Sequence, residues 1–349
     1  MVKPFTPGPA LAMSGLQSWL SAWKPIGASL WRFDHRAIHW LQVLRGALIT
    51  ALLLVIALSL GQPRAVIPLS TGAVFVSIVE TGPGQGHPWR SCLWTTLGLS
   101  LSSGVAALCS SHLLWAVLSS AVMALLCAMA AHLGPRTGVR ALLFLVLYTV
   151  VVGFPMAVPD VQRLMLGVLI GGGAQTIGCL LMTPLERIAA PTASPPMARH
   201  WRQHWNHGLR LALALAIATL ISESTGLRHQ YWLPMSVVWM SRVDLSITVE
   251  RVLHRVLGTI LGLLVVLLAD LLFAWQNLQL LPLAMLGVVI AMATIWVHYA
   301  VAVTGITIWV MTLFLWLGDP VTATILTRLG ATLLAALIVV LVRRPQRLA

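Results

Sequence analysis

Charged residues are scarce in this chain of 349 residues. Asp, Glu, Lys and Arg together make up 9% of it, whereas soluble domains carry about 25%. Hydrophobic residues account for 58%, and the mean hydropathy is +0.90. Such a composition cannot cover a surface that faces water, which excludes a soluble globular protein. The apolar residues form long blocks instead of short alternating segments, which also excludes a transmembrane barrel.

Cysteine is scarce too, and the motifs of common enzymes are missing. The four cysteines are Cys92, Cys109, Cys127 and Cys179. They lie in or beside apolar runs without CxxC or Cys/His pairing, so we predict small buried side chains, with no disulfide and no metal site. No phosphate-binding loop, nucleophile elbow or metal-spaced histidine cluster occurs. We therefore expect neither enzyme activity nor a cofactor.

Acidic residues are few, nine against 22 lysines and arginines, which gives a net charge of +13. Without a soluble basic domain, this excess is not typical of nucleic-acid binding. It is typical of the cytoplasmic loops of membrane proteins. With the N-terminus inside and twelve spans, the only basic residues that fall outside are Arg64, Arg163, Arg228 and Arg328. We therefore predict a multi-pass membrane protein with both termini in the cytoplasm.

Twelve apolar segments follow one another along the chain. They lie near 46–60, 65–80, 91–109, 113–132, 139–155, 161–184, 209–222, 230–243, 253–273, 281–297, 301–317 and 323–342. Several are shorter than the roughly 20 residues of a simple span. Short or broken helices are therefore expected, especially those that hold Pro68 and Pro234. The pattern predicts an all-α polytopic membrane protein with about twelve transmembrane helices.

The two halves of the chain resemble each other at an offset of 165 residues. Matching elements are His39-Trp40 with His204-Trp205, Leu44-Arg45 with Leu209-Arg210, Gly61 with Gly226, Arg90 with Arg255, and Gly153-x-Pro155-x7-Arg163 with Gly318-x-Pro320-x7-Arg328. Several coincidences at one offset indicate an internal duplication. Six spans per half give both halves the same orientation, which makes the repeat a parallel one.

The duplication divides the chain into four predicted segments. They are a cytoplasmic or interfacial amphipathic N-terminus at 1–38, a first six-helix repeat at 39–185, a cytoplasmic linker at 186–204, and a second six-helix repeat with a short basic tail at 205–349.

The stretch from Tyr231 to Gly262 carries a family resemblance. Its residues are Tyr231-Trp232-x-Pro234, then Thr248, Arg251 and Arg255, then Leu257-Gly258-Thr259-x2-Gly262. The pattern resembles the fusaric acid resistance and aromatic acid exporter family, and the resemblance covers about residues 40–345. It is also distantly similar to plant aluminium-activated malate transporters, in which a six-helix unit dimerises around an anion pathway. The resemblance implies that two such units in one chain form a pseudo-dimer in the bacterial inner membrane.

The resemblance implies an inner-membrane exporter of aromatic carboxylates and related organic anions, driven by the proton gradient. The expected partners are a small organic anion, protons and the lipid bilayer. A homo-oligomer or a periplasmic adaptor is left open, and no nucleic acid is expected. Two alternatives remain: a passive anion channel, and a non-transporting membrane subunit or scaffold of a larger complex. The scaffold is favoured by the short linker, because larger family members carry sizeable cytoplasmic domains.

An anionic substrate needs fixed positive charge along its route, and a charge within hydrocarbon is tolerated mainly where it faces a cavity. The candidate arginines form three pairs at the 165-residue offset: Arg45 with Arg210, Arg163 with Arg328, and Arg90 with Arg255. Each pair has a structural alternative. The first pair would be snorkelling anchors, the second would form ion pairs with the nearby Asp160 and Asp319, and the third would be topology signals.

Aromatic and titratable residues complete the candidate site. Trp232 and Trp239 lie nearer helix interiors and would stack an aromatic substrate, with packing or lipid contact as the alternative. The candidates for proton coupling are Asp319, Asp270 and His298, followed by Glu80 and Glu223. His298 interrupts an apolar region, and histidine is the residue type that commonly changes charge near neutral pH. A polar residue at a helix end is the alternative for it.

Overall fold

The structure, a computed structural model, describes Ser29, Trp31 and residues 33–82, 87–154, 156–182, 201–226, 229–243, 245–272 and 280–342. Most of the predicted amphipathic N-terminus, most of the predicted linker, Arg228 and the basic tail lie outside the described residues.

The described residues form twelve α-helices and no strand. The first half holds α1 (Trp40–Ser59), α2 (Val66–Glu80), α3 (Pro88–Cys109), α4 (Leu113–Ala130), α5 (Pro135–Val152) and α6 (Val158–Met182). The second half holds α7 (Trp201–Thr225), α8 (Trp232–Met240), α9 (Leu245–Leu272), α10 (Leu280–Thr294), α11 (Tyr299–Trp316) and α12 (Val321–Val342). The predicted all-α fold of twelve helices is confirmed. Helix α7 begins four residues before the predicted start of the second repeat.

The helix bundle has the surface of a membrane protein. Among the described helices, ten are long and apolar enough to cross a membrane, while α8 and α10 are shorter. Large apolar side chains cover the outside, among them Leu48 at 71% and Leu108 at 77% exposure. Water would not stabilise such an exterior, whereas lipid does.

The two halves share one helix order. Shifted by 165 residues, each helix of the first half overlaps its counterpart in the second. Gly61 and Gly226, which match at this offset, both adopt a left-handed conformation, with φ of +67° and +59°. In each half the second and third helices pack against the sixth. The secondary structure therefore follows the repeat that the sequence predicts.

The second helix of each half lies at the centre of its half. Nearly all of α2 is buried, and all nine residues of α8 are buried. Pro68 and Pro234 each occupy the third position of these helices, where no backbone N–H is needed for the helical ladder. The prolines therefore lie in the first turn of α2 and of α8, where they are compatible with a regular helix.

The halves join through several helix pairs. Helix α4 packs along α7, α10 packs against α1 and α2, and α5 packs against α8. The Gln230 side chain donates to the Gly153 carbonyl at 3.1 Å, and the Trp296 indole donates to the Ile78 carbonyl at 3.2 Å. The buried helix α8 is thus held by its own half and by α5 of the other.

Glycines permit the closest helix contacts near α8. A Cβ on Gly258 would meet the Ala300 carbonyl, and one on Gly262 would meet Thr307. Helices α9 and α11 therefore approach each other at backbone distance, as the Gly-x3-Gly spacing predicts.

Candidate functional site

Two arginines of the second half lie deep in the bundle. Arg255 is on α9 and Arg328 is on α12, and both have 0% exposure. Within the described residues, none of their six guanidinium nitrogens has a hydrogen-bond partner. Buried polar groups are nearly always paired, and an unpaired buried charge is especially costly. These two arginines therefore mark a place where an anion would be stabilised.

Helix α8 places an indole ring against each guanidinium group. The Cζ atom of Arg255 lies 5.7 Å from the ring centroid of Trp239, and that of Arg328 lies 5.1 Å from Trp232. The two tryptophans are two helical turns apart, about 10 Å along the axis. Each cation–π contact contributes about 0.5–2 kcal/mol. Desolvation of a charge costs several kcal/mol, so the rings alone do not compensate the buried charges.

Both fully buried charged side chains between these helices are cationic. The charge of Arg255 is close enough to Arg328 to act on it unfavourably. Further polar atoms on the same helices have no hydrogen-bond partner in the described part of the chain: Trp232 Nε1, Ser236 Oγ, Thr259 Oγ1, Thr307 Oγ1 and Trp309 Nε1. Helices α8, α9, α11 and α12 thus carry unused hydrogen-bond donors around two unneutralised cations, an environment suited to a negatively charged ligand.

An acid–histidine pair lies at one end of this site. Asp319 Oδ2, in the turn before α12, is 3.1 Å from His229 Nε2. The His229 ring stacks on Trp232 with centroids 4.5 Å apart. His229 has a φ of +54°, an uncommon left-handed conformation for a residue other than glycine. Because Trp232 also contacts Arg328, one indole ring separates the titratable pair from the buried arginine.

Two stacked histidines lie at the other end, beyond Trp239. His254 and His298 are both buried, with ring centroids 5.2 Å apart and an angle of 9° between the rings. His298 also begins α11, since its Nδ1 accepts from Val301 N at 3.4 Å. The Tyr299 hydroxyl donates to the Trp239 carbonyl at 3.5 Å. His298 is therefore a helix cap as well as one half of a histidine pair.

The buried arginine of the first half has a different environment. Arg45 on α1 is 8% exposed and forms an ion pair with Glu80, the last residue of α2. Next to it, Gln175 Nε2 donates to the Gly46 carbonyl at 2.8 Å. Arg210, which matches Arg45 at the repeat offset, is half-buried and lines a small pocket with Ser241 and Val339.

The other candidates lie away from the buried pair. Arg163 forms a surface ion pair with Asp160 at 3.1 Å, with the two side chains 75% and 54% exposed. This is the structural alternative left open for Arg163. The corresponding alternative for Arg328 does not form, because no guanidinium nitrogen of Arg328 bonds an acceptor in the described part of the chain and Asp319 contacts His229.

Arg90 and Asp270 also lie at the edge of the bundle. Arg90 is exposed and lines an open groove with Arg136 and Arg140. Asp270 is half-exposed near the end of α9, fifteen residues beyond Arg255, which places it about 22 Å away along the helix. These two residues do not join the aromatic and cationic site around α8.

Sequence reasoning missed several residues of this region. His229 and Tyr231 flank the start of α8, and His254 and Tyr299 lie near its other end. One available signal was the concentration of aromatic residues and histidines immediately before Pro234. The pairing of His254 with His298 and of His229 with Asp319 has no local signal, because these partners come from distant parts of the chain.

Fold and site together define a class: a polytopic helical membrane protein of two similar halves, with a cationic, aromatic-lined site buried in the second. Residues 215–342 match the family described as Fusaric acid resistance protein-like. The match confirms the resemblance predicted from Tyr231–Gly262, and it covers most of the second half. Searches of the curated proteins and of the solved structures returned no match.

Proposed function

We propose that the protein is an inner-membrane efflux transporter of aromatic carboxylic acids or related organic anions, driven by the proton-motive force. The observation that carries the proposal is the pair Arg255 and Arg328. Both are fully buried, lack hydrogen-bond partners among the described residues, and face an indole ring. The family match over residues 215–342 supports a transport function.

The chemistry of the pair suits an aromatic carboxylate. A guanidinium group presents parallel N–H donors that match the two oxygens of a carboxylate. The indole rings of Trp232 and Trp239 offer flat apolar surfaces for an aromatic ring. Each indole ring of α8 lies beside a guanidinium group from a neighbouring helix. A ligand with one carboxylate and one aromatic ring would therefore find a partner for each of its two parts.

The burial of the site favours a transporter over an open channel. Arg255 and Arg328 have no solvent exposure, so an anion reaches them only after the surrounding helices move. Alternating access between two repeats provides such a movement, as in transporters built from internal repeats. A passive pore with these residues in its lining would instead leave them in contact with water.

The Asp319–His229 pair is the best-placed group for proton coupling. Its 3.1 Å contact lies one indole ring away from Arg328. Protonation of Asp319 would end its attraction to His229 and change the charge at that end of the site. Asp270 is a weaker candidate because it lies far from the arginines. His298 is a weaker candidate because it already caps a helix.

Flux in proteoliposomes tests the proposal. Vesicles containing the protein, and protein-free vesicles that measure the leak of neutral acid, receive radiolabelled benzoate under an imposed pH gradient. We expect protein-dependent movement against the benzoate concentration gradient. Movement only down that gradient would indicate the passive anion channel. Neither flux nor thermal stabilisation by benzoate, with benzamide as the uncharged control, would indicate a membrane subunit or scaffold.

The coupling assignment has its own test. In Asp319→Asn, we expect benzoate to bind and exchange across the membrane while uphill accumulation is lost. Asp270→Asn is the matched control, because it removes a carboxylate of the same half that lies away from the arginines. Uphill transport that survives in Asp319→Asn would contradict the assignment.

A further inference from the structure

Two cysteines and a glutamate meet in the interior of the first half. Glu80 ends α2, Cys92 lies near the start of α3, and Cys179 lies near the end of α6. Their ligand atoms, one carboxylate oxygen and two sulfurs, all lie within 4.8 Å of one another. The exposures of the three residues are 5%, 0% and 0%. Three separate helices thus bring together a compact set of metal-ligand atoms that the proposed function does not use.

We propose that Glu80, Cys92 and Cys179 bind one thiophilic divalent cation of the zinc class. Two thiolates and a carboxylate are a donor set that zinc accepts, with Zn–S distances of about 2.3 Å and Zn–O distances of about 2.0–2.2 Å. Softer thiolate ligands select such ions over magnesium or calcium, which prefer oxygen. The remaining coordination position would be taken by water or by a further protein atom.

The charges around the cluster favour a divalent ion. Arg45 forms an ion pair with Glu80, and Arg136 is close enough to Cys92 and Cys179 to interact with them electrostatically. Metal binding releases the two thiol protons. A divalent cation by itself compensates the charges of two thiolates, whereas a monovalent ion compensates only one of them. Burying an uncompensated charge is costly, so the divalent ion fits this environment better.

The helices hold the ligand atoms in place before any ion arrives. Gly171 of α6 lies against the Leu69 backbone of α2, and Gly172 lies against the Thr96 side chain of α3. Thr96 Oγ1 and Thr176 Oγ1 are 3.2 Å apart, one turn from Cys92 and near Cys179. The sequence predicts no metal site because positions 80, 92 and 179 show no ligand spacing. The site arises only from tertiary packing.

Cobalt binding tests the proposal. Purified full-length protein is titrated with Co²⁺, whose thiolate complexes give a charge-transfer absorption band in the near ultraviolet. We expect one equivalent of Co²⁺ per chain to develop the band, and Zn²⁺ to displace it. Cys92→Ser/Cys179→Ser should abolish the band, while the matched Cys109→Ser/Cys127→Ser should retain it. Absence of the band in the wild type, or its persistence in Cys92→Ser/Cys179→Ser, would overturn the proposal.

A second measurement does not depend on the folding of any variant. Native wild-type protein is alkylated with N-ethylmaleimide in the presence of Zn²⁺ or of a chelator, and modification of each cysteine is followed by mass spectrometry. We expect Zn²⁺ to slow modification of Cys92 and Cys179 at least tenfold and to leave Cys127, which is also buried, unchanged. Equal rates at Cys92 and Cys179 in both conditions would contradict the site. Neither the cobalt absorption band nor the alkylation rates depend on transport. The two measurements therefore test the metal site independently of the exporter proposal.

Discussion

The two halves share a helix order, but their buried arginines differ in whether an acidic side chain neutralises them. In the first half, Arg45 is neutralised by Glu80. In the second half, Arg255 and Arg328 are more deeply buried and have no hydrogen-bond acceptor among the described residues. At the repeat offset, Glu80 matches Leu245, and Asp160, the partner of Arg163, matches Ile325. Both acids that pair with arginines in the first half are therefore apolar residues in the second.

The two halves also differ in the aromatic residues at and near their central helices. Tyr231, Trp232 and Trp239 of α8 match aliphatic residues in α2, namely Val66, Ile67 and Val74. The central helix of the first half is thus a packing element, while that of the second half carries aromatic rings against cations. The two halves thus share the order of their helices, while the aromatic rings that contact fully buried arginines belong to the second half in the described part of the chain.

The largest effect is expected from removing the carboxylate of the first half. Glu80→Gln leaves Arg45 as a buried, unneutralised charge, and we expect a loss of about 3–5 kcal/mol in the free energy of unfolding. Denaturant unfolding in detergent measures it. In the double variant Arg45→Gln/Glu80→Gln, most of the loss should be recovered, because no charge is left unpaired. A small effect of Glu80→Gln would mean that the halves do not differ in charge compensation.

Removing an arginine of the second half should act in the opposite direction. In Arg328→Gln the unpaired charge disappears, so we expect the ligand-free protein to gain about 1–3 kcal/mol in stability. Benzoate affinity should fall at least tenfold, which corresponds to about 1.4 kcal/mol. Thermal unfolding with and without benzoate measures both changes. A variant that is less stable and still binds benzoate would show that Arg328 is structural.

An acid introduced at position 325 should give Arg328 the kind of ion-pair partner that Arg163 has in the first half. Ile325→Asp places a carboxylate three residues before Arg328, the spacing of Asp160 and Arg163. We expect an internal ion pair that competes with the ligand and lowers benzoate affinity several-fold. Ile325→Asn is the control of similar size without the charge. Equal affinities in the two variants would argue that the charge at Arg328 does not hold the anion.

Much of this fold follows from the sequence, because apolar length and the 165-residue offset predict twelve helices in two repeats. The burial of individual arginines cannot be predicted from these sequence patterns. Arg163 and Arg328 occupy matching positions, yet one is 75% exposed and the other is fully buried. The face that a helix turns inward depends on packing with distant helices. For the same reason the His229–Asp319 contact, which joins residues 90 positions apart, has no local signal.

The smallest effect is expected at the surface pair of the first half. Arg163 and Asp160 are mostly exposed, and exposed ion pairs contribute about 0–1 kcal/mol because water and salt screen them. We expect Arg163→Gln to change the free energy of unfolding by less than about 1 kcal/mol and to leave benzoate affinity unchanged. Unfolding and binding are measured beside Arg328→Gln, its counterpart at the repeat offset. Loss of benzoate binding in Arg163→Gln would place the ligand in both halves, and the assignment of the site to the second half alone would be wrong.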